Sequence, residues 1–150
     1  MTAMTIQEVS RRSGLSEPTL RYYEEVGLVG PVGRDERSGH RSYGDADLDV
    51  LQALACLRAL GMGIEDMRTC QANRSRGGRA VAAGQCDLLR RHAERIEAQI
   101  AALRTRLDYL REKSSLWDAR AHGDATAESA AQQRVHAALS RLDMETEIKR

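Results

Sequence analysis

Residues 16–26, SEPTLRYYEEV, decide the fold of the first part of this chain, and they follow a shorter segment, residues 5–13, across Gly14. Ser16 is a good helix N-cap, Glu17 suits a first turn, and Pro18 is tolerated there because first-turn amides have no partner inside the helix. Two short helices joined at a glycine predict a helix-turn-helix, a motif whose second helix enters the major groove of DNA.

The second helix has an apolar and a polar side. The residues expected to face inward around the turn are Ile6, Val9, Leu15, Leu20 and Val26. The residues expected to face DNA are Ser16, Thr19, Arg21, Tyr22 and Tyr23. Hydroxyls, a guanidinium and phenols are groups that bind phosphates and base edges. One of these two adjacent tyrosines is also expected to pack in the core, with only its hydroxyl reaching out. Tyr22 and Tyr23 are equally good candidates, so the sequence leaves open which one.

Turn-forming residues dominate residues 28–44, so we expect a small two-stranded wing with strands over 28–32 and 40–43. Its polar candidates are Arg34, Arg37, His40 and Arg41. A basic ribbon beside a helix-turn-helix usually binds phosphates and so fixes register on the duplex. For Arg37 and His40 the alternative is that they are solvated turn residues.

The apolar pattern predicts a third helix over residues 45–60 and a fourth over residues 64–71, closing a winged domain over residues 4–73. Residues 74–84 are rich in glycine, arginine and serine, which predicts a linker.

An apolar row with alternating spacings of three and four follows, over residues 85–117. Its expected dimer contacts are Leu89, Ile96, Ile100, Leu103, Leu107 and Leu110. A row of period 3.5 sustained over about four heptads indicates a coiled coil, most simply an antiparallel one with a second copy of the chain. The alternative is an intramolecular core, although no second helix of similar length is expected.

Residues 118–150 are small and polar, so we expect a mostly disordered tail. The alternative is a helix over residues 128–143 that packs back on the dimer.

Composition limits the function. The net charge is only +1, and residues 1–45 contain six arginines and seven acids. DNA binding must therefore depend on where the positive charges lie and not on the charge of the whole chain.

The three cysteines, Cys56, Cys70 and Cys86, do not have the spacing of a metal site or of a disulfide framework, so we expect reduced thiols, no metal and no cofactor. Neither a membrane segment nor a secretory signal is recognisable, which predicts a cytoplasmic protein without a membrane partner. No catalytic constellation is present, so an enzyme is not expected.

Residues 19–24 (TLRYYE), 27–28 (GL), 39–43 (GHRSY) and 60–62 (LGM) resemble the MerR family of bacterial transcriptional regulators. The resemblance covers about the first half of the chain and also fits the long helix. It implies a mainly α fold, in which a winged helix-turn-helix is followed by a long antiparallel coiled-coil dimerisation helix.

The resemblance also implies a function. Such homodimers bind double-stranded promoter DNA with an over-long spacer and distort it on receiving a signal, so that RNA polymerase engages both promoter elements. By the same resemblance, Arg21 and Tyr22 meet base edges or phosphates, Tyr23 and Tyr43 contact the DNA backbone, and Arg41 anchors the wing. A coiled-coil adaptor whose winged domain contacts protein is the alternative.

The sequence gives less information about the signal to which such a regulator would respond. Family members that sense metals carry a cysteine-rich loop after the dimer helix, which this sequence lacks, so metal sensing by that route is not expected. Cys56 is placed as in the branch that responds to aldehydes and other electrophiles, and Arg58 nearby would favour its thiolate. Inert packing is the alternative for Cys56, and more so for Cys70. The identity of the small-molecule effector stays open.

Overall fold

The structure, a computed structural model, describes residues 3–148, with side chains up to residue 142, and has two compact units that divide after Leu89. The described part of the chain is mainly α, as expected. Its helices are α1 (Ile6–Ser13), α2 (Glu17–Glu25), α3 (Asp45–Ala59), α4 (Ile64–Ser75), α5 (Arg79–Ala121) and α6 (Ala125–Ile148), and its strands are β1 (Gly33–Arg34) and β2 (Arg41–Ser42).

Helix α1 begins and ends with specific caps. The Thr5 hydroxyl accepts from the Glu8 amide at 3.3 Å, and the Glu8 carboxylate accepts from the Thr5 amide at 2.8 Å. The Thr5 amide and, at 3.2 Å, the Thr5 hydroxyl both donate to the Glu8 carboxylate, and these bonds, the backbone bond first, lower the pKa of the Glu8 carboxyl. At the other end Gly14 has a φ of 77°, which lets the chain turn sharply into α2. The predicted helix–turn–helix is therefore present, with the boundaries that its caps indicated.

The core of the first unit fixes the orientation of α2. Leu20 and Tyr23 are buried there, and Val26 is partly buried. Their neighbours from the other elements include Val9, Leu15, Leu48, Leu51 and Leu54. The adjacent Tyr22 is 47% exposed, so the structure places Tyr23 inside and Tyr22 outside.

Tyr43 is fully buried and joins the end of the wing to the chain before α1. Its amide donates to the Met4 carbonyl at 2.9 Å, and the Met4 amide donates to its carbonyl at 2.8 Å. The phenol hydroxyl has no hydrogen-bond partner among the described residues. Burial raises the pKa of this phenol above its ordinary value near 10.

The wing is shorter than expected and lies later in the chain. Strands β1 and β2 are antiparallel, with Gly33 opposite Ser42 and Arg34 opposite Arg41. The predicted first strand, residues 28–32, is wrong because Leu28, Val29 and Val32 pack in the core instead of pairing. Leu28 and Val29 donate their amides to the Tyr23 carbonyl, which satisfies the end of α2.

The predicted linker over residues 74–84 is also corrected. Helix α4 extends to Ser75, and α5 already begins at Arg79. Only residues 76–78, with two glycines, interrupt the helices. Residues 79–83, RAVAA, are dominated by alanine, which has high helix propensity, and this local preference outweighed the polar composition on either side.

The tail is helical where mostly disordered chain was expected. In the second unit α6 packs on the end of α5, burying Leu116 against Ala131 and Val135. Arg134 Nε lies 2.7 Å from a Glu112 carboxylate oxygen and supports the same contact. Alanine favours helix formation, and its small side chain lets α6 approach α5 closely. A sequence pattern based only on large apolar residues does not detect this contribution. The expected helix over residues 128–143 therefore lies within a longer one, and residues 149–150 lie outside the described part.

The apolar row on α5 is largely exposed in the single chain. Leu103 is 59% exposed and Leu110 is 63% exposed. The other exposed members are Leu89, Ile96, Ile100, Leu107 and Trp117. No helix among the described residues is long and apolar enough to cross a membrane.

Tyr43→Phe tests the account of the buried phenol. Because an unpaired buried hydroxyl costs free energy, removing it should raise the free energy of unfolding at neutral pH by about 1 kcal/mol. The wild-type protein should lose stability as pH rises above 10, where the unfolded state ionises first, and the variant should lose less. Urea unfolding at pH 7 and pH 10.5 measures both, with exposed Tyr22→Phe as the control. Destabilisation at pH 7 would mean that the hydroxyl has a partner.

Candidate nucleic-acid interface

The wing is attached to α2 by one short ion pair. Arg41 Nε, on β2, lies 2.6 Å from a carboxylate oxygen of Glu24, and both side chains are about three-quarters buried. The hydrogen bond from Arg41 to Glu24 raises the pKa of the guanidinium above its ordinary value. Because the pair joins residues 17 apart in sequence, it fixes the position of the wing relative to the recognition helix.

Two further arginines hold the ends of α2. Arg58 Nη1, on α3, donates to the Thr19 hydroxyl at 2.9 Å. Arg68 Nη2, on α4, donates to the Val26 carbonyl at 2.8 Å, at the C-cap of α2. We call Arg58 and Arg68 the α2 tethers. Sequence reasoning missed this role for both, because each bond spans about 40 residues and leaves no local pattern.

The outer face of α2 carries the expected polar groups. Arg21 is exposed and lies 3.4 Å from Glu17, a weak surface pair. Ser16 and Thr19 share a hydroxyl contact of 2.8 Å at the start of the helix. Tyr22 presents its ring to solvent beside the buried ring of Tyr23, with centroids 6.2 Å apart. These groups lie within the first two turns of α2 and its N-cap, on the surface of the domain.

Tyr23 and Tyr43 lie in the core, with little or no exposed surface for the expected DNA contacts. Both were expected at the DNA backbone, yet their side chains are 3% and 0% exposed. Burial raises the pKa of each phenol. Their amphipathic rings fill the core of a small domain that contains no phenylalanine. The Tyr43 hydroxyl is itself buried, whereas the hydroxyl of Tyr23 is not among the buried unpaired atoms.

The structure brings Arg21, His40 and Arg41 together around a recess of about 310 Å³. Thr5, Ile6 and Gln7 at the start of α1 complete its wall. Arg37 lies instead in the exposed turn of the wing and does not line this recess. That turn is ordered by Asp35, which accepts from the amides of Ser38 and Arg37 at 2.8 and 3.0 Å. The bonds from Ser38, and then that from Arg37, lower the pKa of the Asp35 carboxyl.

Cys56 is exposed on α3 and lines a separate cavity of about 620 Å³, together with the buried Cys70. Arg58, two residues further along α3, donates its guanidinium to the Thr19 hydroxyl on α2. Within the described residues, no three cysteine, histidine or acidic side chains come close enough to hold a metal ion.

Fold and site together define a winged helix-turn-helix DNA-binding protein. Residues 4–73 match the family described as MerR HTH family regulatory protein. Heavy metal-dependent transcription regulator 2 of Rhizobium meliloti (strain 1021) is 37% identical over 103 residues, covering 67% of each chain. The HTH-type transcriptional regulator HmrR of Sinorhizobium medicae (strain WSM419) is 34% identical over 124 residues, covering 81% of this chain and 78% of that one.

A solved structure gives the same result. HiNmlR, a MerR family regulator lacking the sensor domain and bound to promoter DNA, has a TM-score of 0.63 at 31% identity, covering 85% of this chain and 96% of that one. The chain belongs to the MerR family of transcriptional regulators. It is a transcriptional regulator of the helix-turn-helix class.

Proposed function

We propose that the protein acts as a homodimer that holds two recognition helices on one promoter and distorts an over-long spacer so that RNA polymerase engages both promoter elements. The observation that carries this proposal is the exposed apolar row of α5 in a chain whose recognition helix has one polar face outward. Two copies joined along that row present two such faces, as a two-fold symmetric operator requires.

The geometry of the row supports antiparallel pairing. Over residues 85–117 the helix is about 50 Å long, at about 1.5 Å per residue. Its partly exposed leucines and isoleucines recur every three and four residues, the spacing that a second helix covers. An antiparallel partner sets the two winged domains far apart, and successive major grooves on one face of a duplex are about 34 Å apart.

The recess around Arg21 suggests how each domain binds. Arg21 and Tyr22 are exposed and are proposed to meet base edges or phosphates in the major groove. Arg41 and His40 line the same recess and are proposed to bind the adjacent phosphates. Arg37, in the exposed wing turn, reaches a further phosphate, and the linked hydroxyls of Ser16 and Thr19 add contacts at the start of the helix.

The proposed receiver of the signal is Cys56. Its thiol is exposed at the wall of a cavity, so a small electrophile can reach it. With acrolein as the electrophile, the thiolate sulfur bonds to the β-carbon, the C=C electron pair moves to an enolate, and the α-carbon takes a proton from water. The added thioether changes the packing of α3, which Arg58 connects to the recognition helix.

Leu103→Asp tests the dimer. A carboxylate in the middle of the row should abolish dimerisation at micromolar concentration, because it cannot be buried without a partner. Ala101→Asp, also exposed and on the same helix but off the row, should leave the dimer intact. Sedimentation equilibrium measures both, and a Leu103→Asp dimer would mean that the chain associates through another surface.

Arg21→Ala tests DNA recognition. It should weaken binding to the operator, located by footprinting the DNA upstream of its own gene, by about 1–3 kcal/mol while changing binding to random duplex much less. Arg90→Ala, an exposed arginine on α5, is the control for lost charge. Equal losses on both duplexes would remove Arg21 from base readout. A dimer without preference for any upstream sequence would favour the adaptor alternative.

Cys56→Ala tests the signal. Treatment of the wild-type protein with acrolein should change transcription from the bound promoter and add one acrolein mass at Cys56. Cys56→Ala should bind DNA and not respond, whereas Cys86→Ala, which removes another exposed thiol, should respond like the wild type. In vitro transcription and peptide mass spectrometry measure the two effects. A response that persists without Cys56 would rule it out as the receiver.

A further inference from the structure

The cavity beside Cys56 is formed within the first unit by α3, α4, the two glycines after α4 and the start of α5. Its volume of about 620 Å³ is within the roughly 300–1,000 Å³ typical of small-molecule sites. Carbon dominates its wall, through Ala53, Leu57, Val81 and Ala82. Such a wall favours a ligand with an apolar body.

Three polar side chains of the cavity wall, Cys70, Asn73 and Gln85, are already paired with each other. Gln85 Nε2 donates to Cys70 Sγ at 3.2 Å, and Asn73 Nδ2 donates to Gln85 Oε1 at 2.9 Å. Both ends of the Gln85 amide are thus bonded to α4. A ligand that used these three side chains for its own hydrogen bonds would have to break this network.

The charges around the cavity all have one sign. Arg74 and Arg76 line it, and no acidic side chain does. Neither guanidinium has a carboxylate partner within the described part of the chain. The first turn of α5, on the same wall, also contains no acidic residue. Two unpaired arginines next to an apolar surface are complementary to a carboxylate attached to hydrocarbon.

We propose that this cavity is a non-covalent binding site for a small organic anion, a carboxylate with an apolar body. The carboxylate pairs with Arg74 and Arg76, and the hydrocarbon packs on Leu57, Val81 and Ala82. The site requires no reaction at Cys56, so this inference is independent of electrophile sensing. Because Cys56 lines the same space, a bound anion also shields its thiol.

Calorimetric titration of the full-length protein with octanoate tests the site directly. One octanoate should bind per chain, while octan-1-ol, which has the same hydrocarbon without the charge, and inorganic phosphate, which has charge without hydrocarbon, should each bind at least about tenfold more weakly. Octanoate should also slow alkylation of Cys56 by iodoacetamide and leave alkylation of Cys86 unchanged.

Variants separate the cavity from general surface charge. Arg74→Gln combined with Arg76→Gln should weaken octanoate binding by about tenfold or more. Arg79→Gln combined with Arg90→Gln removes the same charge from exposed positions off the cavity wall and should change it little. Ala82→Phe fills the cavity from an exposed wall position and should abolish binding while the helical circular dichroism is retained.

Each contrary result overturns the inference. Octan-1-ol binding as tightly as octanoate would remove the anionic class, and full affinity in Ala82→Phe would place the ligand outside the cavity. If none of the probes binds, the cavity is not a binding site for this class of ligand in the dimer. Cys56→Ser should bind octanoate normally, and operator binding without ligand should be unchanged in the double arginine variant. A failure of octanoate binding is therefore distinguishable from a failure of DNA binding or thiol sensing.

Discussion

Burial of Leu20 and Tyr23 on one side of α2 is the constraint on which the interface depends. In a helix of 3.6 residues per turn, fixing these two side chains in the core determines the direction of every other residue. Arg21 and Tyr22 then face outward, and the weak surface pair between Arg21 and Glu17 is not what sets their direction. The core therefore orients the exposed residues of α2, and the polar contacts around α2 adjust a direction that packing has already set.

Local signals made much of the first unit predictable. Gly14 and Ser16 act locally, and each marked a helix boundary that the structure confirms. The row on α5 was visible because its period is regular over many turns. The family was recognisable from short motifs in α2, the wing and α3, which together are more specific than any one of them.

The remaining features depend on distant parts of the chain. The bonds from Arg58, Arg68 and Arg41 to α2 join residues between 17 and 42 apart, so no window of sequence contains both partners. The burial of Tyr43 follows from competition for a core with no phenylalanine to fill it. Helix α6 was missed for another reason, since alanine supplies helix propensity and close packing but little apolar area. A tyrosine can either pack in a core or present its hydroxyl at the surface. The sequence alone does not decide between these roles, so predictions of site residues are least accurate for such residues.

The α2 tethers have a mechanical consequence. Helix α2 is held near its start by a side chain of α3 and at its end by a side chain of α4. Two attachment points from different helices restrict rotation of α2 about its own axis as well as tilt. A displacement of α3 or α4 is therefore passed on to α2 and to the exposed side chains on its outer face.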